Sequence, residues 1–329
     1  SDSTINFITI NINIGGTNSP IALINTLLSN PAAKGYSSET LLRSSTSKHN
    51  NLINAKLPAK LSLNQQGPEQ AQKLKLAKPT LNALLATLNT PEQANINQAA
   101  TRYFNSLPNR KSARVDLRAI TAQSLKSNNK PLKPLTLSGI SKGGHEAFIL
   151  DARSLPSQTT LRSNHIGFIS LLGTIKLIGG KGNNTAIGDQ HNQHISGGGG
   201  NDNLNGGAGK DTLKGDAGND SLNGGGGHDK LHGGDGKDTL DGGAGKDTLT
   251  GAQGPDQFIL SKGADRITDY TPAKGDRLVY DKADQLRLIQ KHSNLLLKGP
   301  GGIKTLLLDF NKQNFNQEDV LAVAIDPLA

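Results

Sequence analysis

The sequence predicts a mainly β chain: a parallel β-roll, preceded by an α+β N-terminal domain and closed by a short β C-terminal cap. Three observations predict it. Seven nonapeptides run without a gap from Gly197 to Ile259, each with aspartate sixth and a large apolar residue eighth. Residues 1–178 are poor in glycine and carry alternating apolar runs together with helix-start signals. After residue 268 the glycine turns stop while short apolar runs continue. The expected boundaries are 1–163 for a basic N-terminal domain, 164–268 for the roll with its lead-in strands, and 269–329 for the cap.

The nonapeptides read GGGGNDNLN, GGAGKDTLK, GDAGNDSLN, GGGGHDKLH, GGDGKDTLD, GGAGKDTLT and GAQGPDQFI. In each, six residues form a turn, where glycine supplies backbone angles closed to other side chains, and three form a short strand with one residue inward. The inward residues are Leu204, Leu213, Leu222, Leu231, Leu240, Leu249 and Phe258. One unit buries too little to stand alone, so neighbours must stack, two nonapeptides making one full turn. Turns on one side therefore recur every eighteen residues. That period lines Asp202, Asp220, Asp238 and Asp256 along one edge and Asp211, Asp229 and Asp247 along the other, with Asp265 placed to close the second. Two upstream copies, Gly179–Ile187 and Gly188–Ser196, keep the spacing but carry Asn184 and Gln193 where aspartate belongs, which predicts metal-poor capping turns.

Stacked carboxylates repel one another unless a cation lies between them. A hard ion that accepts six to eight oxygens suits an edge of aspartates and glycine carbonyls, and calcium fits it better than magnesium, which demands tight octahedral geometry. The series matches the G-G-x-G-x-D-x-U-x pattern and resembles the RTX (repeats-in-toxin) calcium-binding proteins. Metal ligands are therefore expected at Asp202, Asp211, Asp220, Asp229, Asp238, Asp247, Asp256 and Asp265, holding about five or six Ca2+ ions. Without the ion, the small leucine core is expected not to offset the ordering cost of so many glycines, leaving the roll largely unfolded.

The resemblance also implies secretion. RTX chains are typically exported unfolded by type I machinery that reads an uncleaved C-terminal signal, and they fold on meeting external calcium. The tail FNQEDVLAVAIDPLA is similar to such signals, PDQFILSKGADRITDYTPAKGDRLVY to the segment that closes RTX rolls, and residues 146–201 to the lead-in strands of large RTX surface proteins. Composition agrees with an extracellular life. The chain has no cysteine for disulfides. No apolar run approaches eighteen residues, which predicts no membrane span. Residues 1–30 lack the basic start and apolar block of a secretory signal, so export is expected by another route.

Charge divides the chain. Residues 1–178 hold 20 Lys and Arg against 7 Asp and Glu, and residues 179–329 hold 16 against 20, giving the overall +9. The basic head invites an anionic partner. Scattered cations and 3% aromatic residues argue against nucleic acid and for an anionic surface polysaccharide or the acidic roll of another copy. Ile8, Ile10, Ile12 and Ile14 alternate with polar residues as a half-buried strand, which either lies in its own sheet or adds to the open edge of a neighbouring copy. Ser19-Pro20 and Thr90-Pro91 each read as a helix start, and a third helix is expected over Leu81–Leu88. A loop is expected over Ser37–Asn54, and strands from Val115 onward.

Catalytic motifs are thin. Gly139-Ile140-Ser141-Lys142-Gly143 matches the G-x-S-x-G elbow that would make Ser141 a nucleophile. Too little chain separates it from the first repeat for the later strands of an α/β-hydrolase, and Asp151 and His165 are the nearby partners on offer. His145-Glu146 lacks the second histidine of H-E-x-x-H, and His191 and His194 sit in a glycine-rich turn rather than on a helix. No catalytic residue is assigned. The expected function is a calcium-folded structural protein that self-assembles or attaches at the cell surface, as a surface layer, filament or biofilm-matrix component. A secreted hydrolase of lipase, esterase or protease type and an adhesin are the alternatives.

Overall fold

A computed structural model describes residues 9–12, 23–29, 36–43, 51–58, 61–67, 72–108, 113–124, 134–139, 146–157, 159–280, 285–316, 318 and 320–321. The chain is mainly β and divides into two compact units, residues 1–181 with 185–189 and residues 182–184 with 190–329.

The first unit contains β1 (Thr9–Ile12), β2 (Leu23–Ser29), β3 (Tyr36–Arg43), β4 (Asn51–Pro58), β5 (Leu61–Gly67), β6 (Gln72–Lys73), α1 (Leu74–Leu88), α2 (Gln93–Ser106), β7 (Arg114–Ser124), β8 (Leu135–Gly139), β9 (Glu146–Ser154), β10 (Thr159–Asn164), β11 (Phe168–Leu172), β12 (Ile175–Ile178) and β13 (Thr185–Ile187). One sheet runs β1-β2-β5-β7-β9-β11-β13, with β6 also on β7, and the other β3-β4-β8-β10-β12. Pairing is antiparallel through β5–β7 and β4–β8 and parallel from β7–β9 and β8–β10 onward. From β7 the chain therefore alternates between two sheets strand by strand, a winding that begins upstream of any glycine repeat.

Leu81, Leu84, Leu85 and Leu88 recur at helical spacing and form the apolar stripe of α1. With Ile96, Tyr103 and Phe104 of α2 they pack on Val115, Leu117, Ala119, Ala147, Ile149 and Phe168. Each fully buried leucine contributes about 1.5–3 kcal/mol. The alternate residues of β7, Asp116 and Arg118, are also buried, and they form an ion pair at 2.8 Å. Burial pushes the Asp116 carboxyl up and the Arg118 guanidinium down, and their mutual attraction opposes both shifts.

Two segments differ from the sequence expectation. Leu23–Ser29, placed in the run after the Ser19-Pro20 helix signal, is a strand bonded between β1 and β5. β-Branched Ile24 and Thr26 and two pairing partners outweigh the local helix signal. Ser37–Asn54, expected as a loop, holds β3 and the start of β4, with Ser37 opposite Leu57 and Leu41 opposite Ile53. α1 covers the expected Leu81–Leu88 but starts earlier, at Leu74. α2 starts at Gln93 with Glu92 as N-cap, two residues after Thr90, whose hydroxyl bonds the Glu92 carboxylate. The N-terminal strand lies antiparallel on β2 of the same chain; Ile8 and Ile14 fall outside the described residues.

The second unit contains β14 (His194–Gly199), β15 (Asn203–Asn205), β16 (Ala208–Gly209), β17 (Thr212–Ala217), β18 (Ser221–Asn223), β19 (Gly226–Gly227), β20 (Lys230–Asp235), β21 (Thr239–Asp241), β22 (Ala244–Gly245), β23 (Thr248–Gln253), β24 (Gln257–Ile259), β25 (Gly263–Ile267), β26 (Arg277–Val279), β27 (Arg287–Lys291), β28 (Asn294–Lys298), β29 (Ile303–Leu307) and β30 (Val320–Leu321). One sheet runs β15-β18-β21-β24-β26-β30 and the other β14-β17-β20-β23-β25, all parallel, with β16, β19 and β22 pairing at the turns. This is the predicted parallel roll. Its inward residues stack in register as Leu204, Leu222, Leu240, Phe258 and Leu278 in one sheet, and Ile195, Leu213, Leu231, Leu249 and Ile267 in the other. All ten are buried. The cap adds β29 to β25 and folds back through the antiparallel strands β28 and β27. Phe258, Tyr270 and Phe310 close the end of the column, with ring centroids 6.2 and 5.3 Å apart.

Candidate metal centre

Each nonapeptide turn is built on two left-handed residues. The fourth position, Gly200 through Gly254, has φ between 110° and 151° in every copy. The second is also left-handed, and there glycine gives way to Asp216 at 74° and Ala252 at 77°. A residue with a Cβ sits there at a cost of about 1–2 kcal/mol, eased for aspartate by its short polar side chain.

The turn carries its aspartate inward. Asp202, Asp211, Asp220, Asp229, Asp238, Asp247, Asp256 and Asp265 are each at most 4% exposed. Each uses Oδ1 to accept the backbone N–H of the residue eighteen positions earlier. On one edge the donors are Asn184, Asp202, Asp220 and Asp238, at 2.7 to 3.0 Å. On the other they are Gln193, Asp211, Asp229 and Asp247, at 2.7 to 3.1 Å. The two ladders drawn from the eighteen-residue period are therefore both present, and Asp265 closes the second. A neutral ladder runs beside the first: the Asn183, Asn201 and Asn219 side chains accept the N–H groups of Asn201, Asn219 and Lys237.

Asp276, which sequence reasoning missed, adds a rung. It is buried and accepts the Asp256 N–H at 3.0 Å and, through Oδ2, the Thr271 N–H at 2.8 Å. Gly275-Asp276-Arg277-Leu278 repeats the aspartate-to-apolar spacing, but it follows Asp256 by twenty residues rather than eighteen. The two-residue insertion put it out of phase.

The second carboxylate oxygen shows what the ladders lack. Oδ2 of Asp202, Asp220, Asp229 and Asp238 is buried with no hydrogen-bond partner. A Cβ built on Gly224 would lie 2.5 Å from Asp229 Oδ2 and 2.7 Å from the carbonyl oxygen of Gly242. The first glycine of a nonapeptide thus leaves open a small space that a carboxylate and a carbonyl from different rungs both face. Among the described residues no group of three or more His, Cys, Asp or Glu side chains converges on one point, so further ligands must come from the backbone. An all-oxygen set of paired carboxylates and carbonyls fits calcium. When bound, the ion neutralises the stacked carboxylates and ties one rung to the next.

Electrostatics give the same reading. Burial, with the charge of neighbouring aspartates added, raises Asp202 and Asp238 to about 7 and Asp229 to about 6. Asp265 also rises to about 7, chiefly through burial and then through Asp247, with which it shares a side-chain hydrogen bond. Sharing a proton is how two buried carboxylates coexist without a cation.

The motif residues Ser141, Gly143 and His145 lie outside the described residues. Asp151, one of the triad candidates, is engaged by Arg153, whose Nε and Nη2 donate at 2.9 and 2.7 Å, while Nη2 also donates to the Leu88 carbonyl. No helix among the described residues is long and apolar enough to cross a membrane.

A family model of the RTX calcium-binding nonapeptide repeat matches four times, over residues 176–204, 196–231, 223–258 and 232–267. No curated protein matches the chain. Among solved structures, the extracellular lipase LipA from Serratia marcescens aligns at 15% identity with a TM-score of 0.26, over 54% of this chain and 45% of that one. The alignment thus spans less than half the length of the lipase. The fourfold repeat match and two ladders of buried aspartates, four of them with an unpartnered inner oxygen, lead to one conclusion: residues 176–267 form an RTX calcium-binding nonapeptide-repeat roll.

Proposed function

We propose that this is a secreted structural protein whose roll folds on external calcium and whose basic N-terminal region mediates self-assembly or attachment at the cell surface, in a layer, filament or matrix. The observation that carries it is the pair of buried aspartate ladders, whose inner oxygens need a cation to be stable as anions. Sites of this kind fill at the millimolar calcium found outside cells and stay empty in the cytoplasm. Export unfolded by a type I route suits a domain that cannot order before it reaches that ion. The number of stacked aspartate pairs supports a reading of about five or six ions, with Asp256 and Asp276 as a further pair. In this reading the chain works as a structural component rather than a catalyst.

Self-assembly is supported by β1, which ends its sheet and pairs with β2 alone among the described residues. Electron microscopy of the full chain at millimolar calcium tests the proposal. Lattices or fibres that disappear when residues 1–15 are deleted, with the calcium-dependent circular dichroism unchanged, are the expected result. Dispersed monomers that hydrolyse an ester or peptide would replace it with the hydrolase reading.

A further inference from the structure

The two sheets of the roll present different chemistry outward. The sheet of β15, β18, β21 and β24 shows Asn203, Asn205, Ser221, Asn223, Thr239 and Asp241, a nearly neutral surface. The opposite sheet is cationic. Lys214 and Lys230 are exposed on β17 and β20, Arg266 on β25, and the register continues the same face through Lys304 on β29, Lys298 on β28 and Arg287 on β27. One acid shares this outward side, Asp216 at the turn end of β17, whose carboxylate accepts from the Ser196 hydroxyl of β14; Asp235 stands at the turn end of β20. The overall charge of the segment hides this face. Of the 20 Asp and Glu in residues 179–329, nine are the buried ladder aspartates including Asp276, so 16 Lys and Arg face only 11 other acids.

Between the cations lie hydroxyls. Thr212, Thr248, Thr250 and Thr268 occupy outward positions, with Thr250 and Thr268 hydrogen-bonded across rungs at 2.7 Å, and no aromatic residue interrupts them. Strands about 4.8 Å apart make the eight-stranded face roughly 35 Å long, with the half-buried Leu306, Leu296 and Ile289 also on its outward side. From this we infer that the cationic sheet of the roll is a binding surface for a linear acidic polysaccharide lying across the strands. The cations meet its carboxylates, and the threonines exchange hydrogen bonds with its hydroxyls. A polymer is favoured over a small anion because the charges are spread along the face rather than gathered in a pocket. Sugar is favoured over nucleic acid because the face has no aromatic ring for a base to stack on. The inference rests on the calcium-folded roll, which sets the register of the face.

The test is titration of the full chain with hyaluronan, a linear carboxylated polysaccharide, in millimolar calcium, with neutral dextran, acidic lipid vesicles and single-stranded DNA as comparators. The triple variant Lys214→Glu, Lys230→Glu, Arg266→Glu is expected to weaken hyaluronan binding at least about ten-fold. The triple variant Lys78→Glu, Lys274→Glu, Lys312→Glu makes the same change in net charge at residues outside the strands of the face and is expected to stay within about two-fold of the parent. Equal losses in both variants, no loss in the first, or tighter binding to vesicles or DNA than to hyaluronan would each overturn the inference. Circular dichroism with and without chelator, recorded on every variant, separates a failure of the face from a failure of calcium-dependent folding.

Discussion

The two units bury charge in opposite ways. In the N-terminal unit Asp116 and Arg118 are neighbours on one face of β7 and form an ion pair at 2.8 Å. In the roll each ladder aspartate is stacked on another aspartate, so the counter-charge has to come from solution. A fold that carries its own counter-ion needs none from solution. One that borrows it is stable only where the ion is supplied.

Removing calcium is the broadest way to break this comparison. With chelator, amide hydrogen exchange followed by mass spectrometry should show peptides from residues 195–280 losing most of their protection while peptides from residues 74–106 and 146–178 keep theirs. Uniform loss, or none, would show that the two units do not differ in this way. Arg118→Ala probes the other side. Leaving the Asp116 carboxylate buried and unpaired is expected to cost about 3–5 kcal/mol in both the presence and absence of calcium. Thermal melts should show the double change Asp116→Ala, Arg118→Ala recovering much of that loss; a single variant as stable as the parent would refute the pairing.

Acid should affect the calcium-free roll in a direction opposite to the usual one. Asp202 and Asp238 near 7 and Asp229 near 6 lie above the unfolded value of about 3.9, so the folded roll retains protons that the unfolded chain releases. That contribution is fully present below about pH 4 and is lost as pH rises through 6 to 7. Circular dichroism in chelator should therefore show more strand at pH 4.5 than at 7.5, whereas with calcium present the midpoint calcium concentration should rise as pH falls. The smallest effect expected is at Ala252, whose φ of 77° suits glycine. Ala252→Gly should stabilise the calcium-bound roll by about 1 kcal/mol or less, relieved strain being partly offset by the entropy of the glycine.

The sequence made the roll legible because one nine-residue phase sets turn, ladder and core together. Leu204 to Phe258 had to form columns once Asp202 to Asp256 formed edges. Asp276 escaped because a two-residue insertion hides the phase while the stacking persists. In β7 the alternation of Asp116 and Arg118 with Val115 and Leu117 looks like a solvated face, but the strand is buried on both sides. Leu23–Ser29 carried a local helix signal that two strand partners overrode. Periodicity reports what repeats, whereas burial and pairing in the N-terminal unit depend on partners far away in the chain.

Every N–H to carboxylate hydrogen bond in the two aspartate ladders runs in one direction, from a backbone N–H to the aspartate of the following rung. The array is therefore polar from end to end, and its two ends are not equivalent. Trimming from the N-terminal side takes the donor from Oδ1 of the first remaining aspartate on each edge and leaves every later rung and the cap in place. Trimming from the C-terminal side strips Asp247 and Asp256 of the acceptors supplied by Asp265 and Asp276, and opens the column at Phe258. Shortened versions of this roll should thus keep their calcium response when cut from the front and lose it when cut from the back.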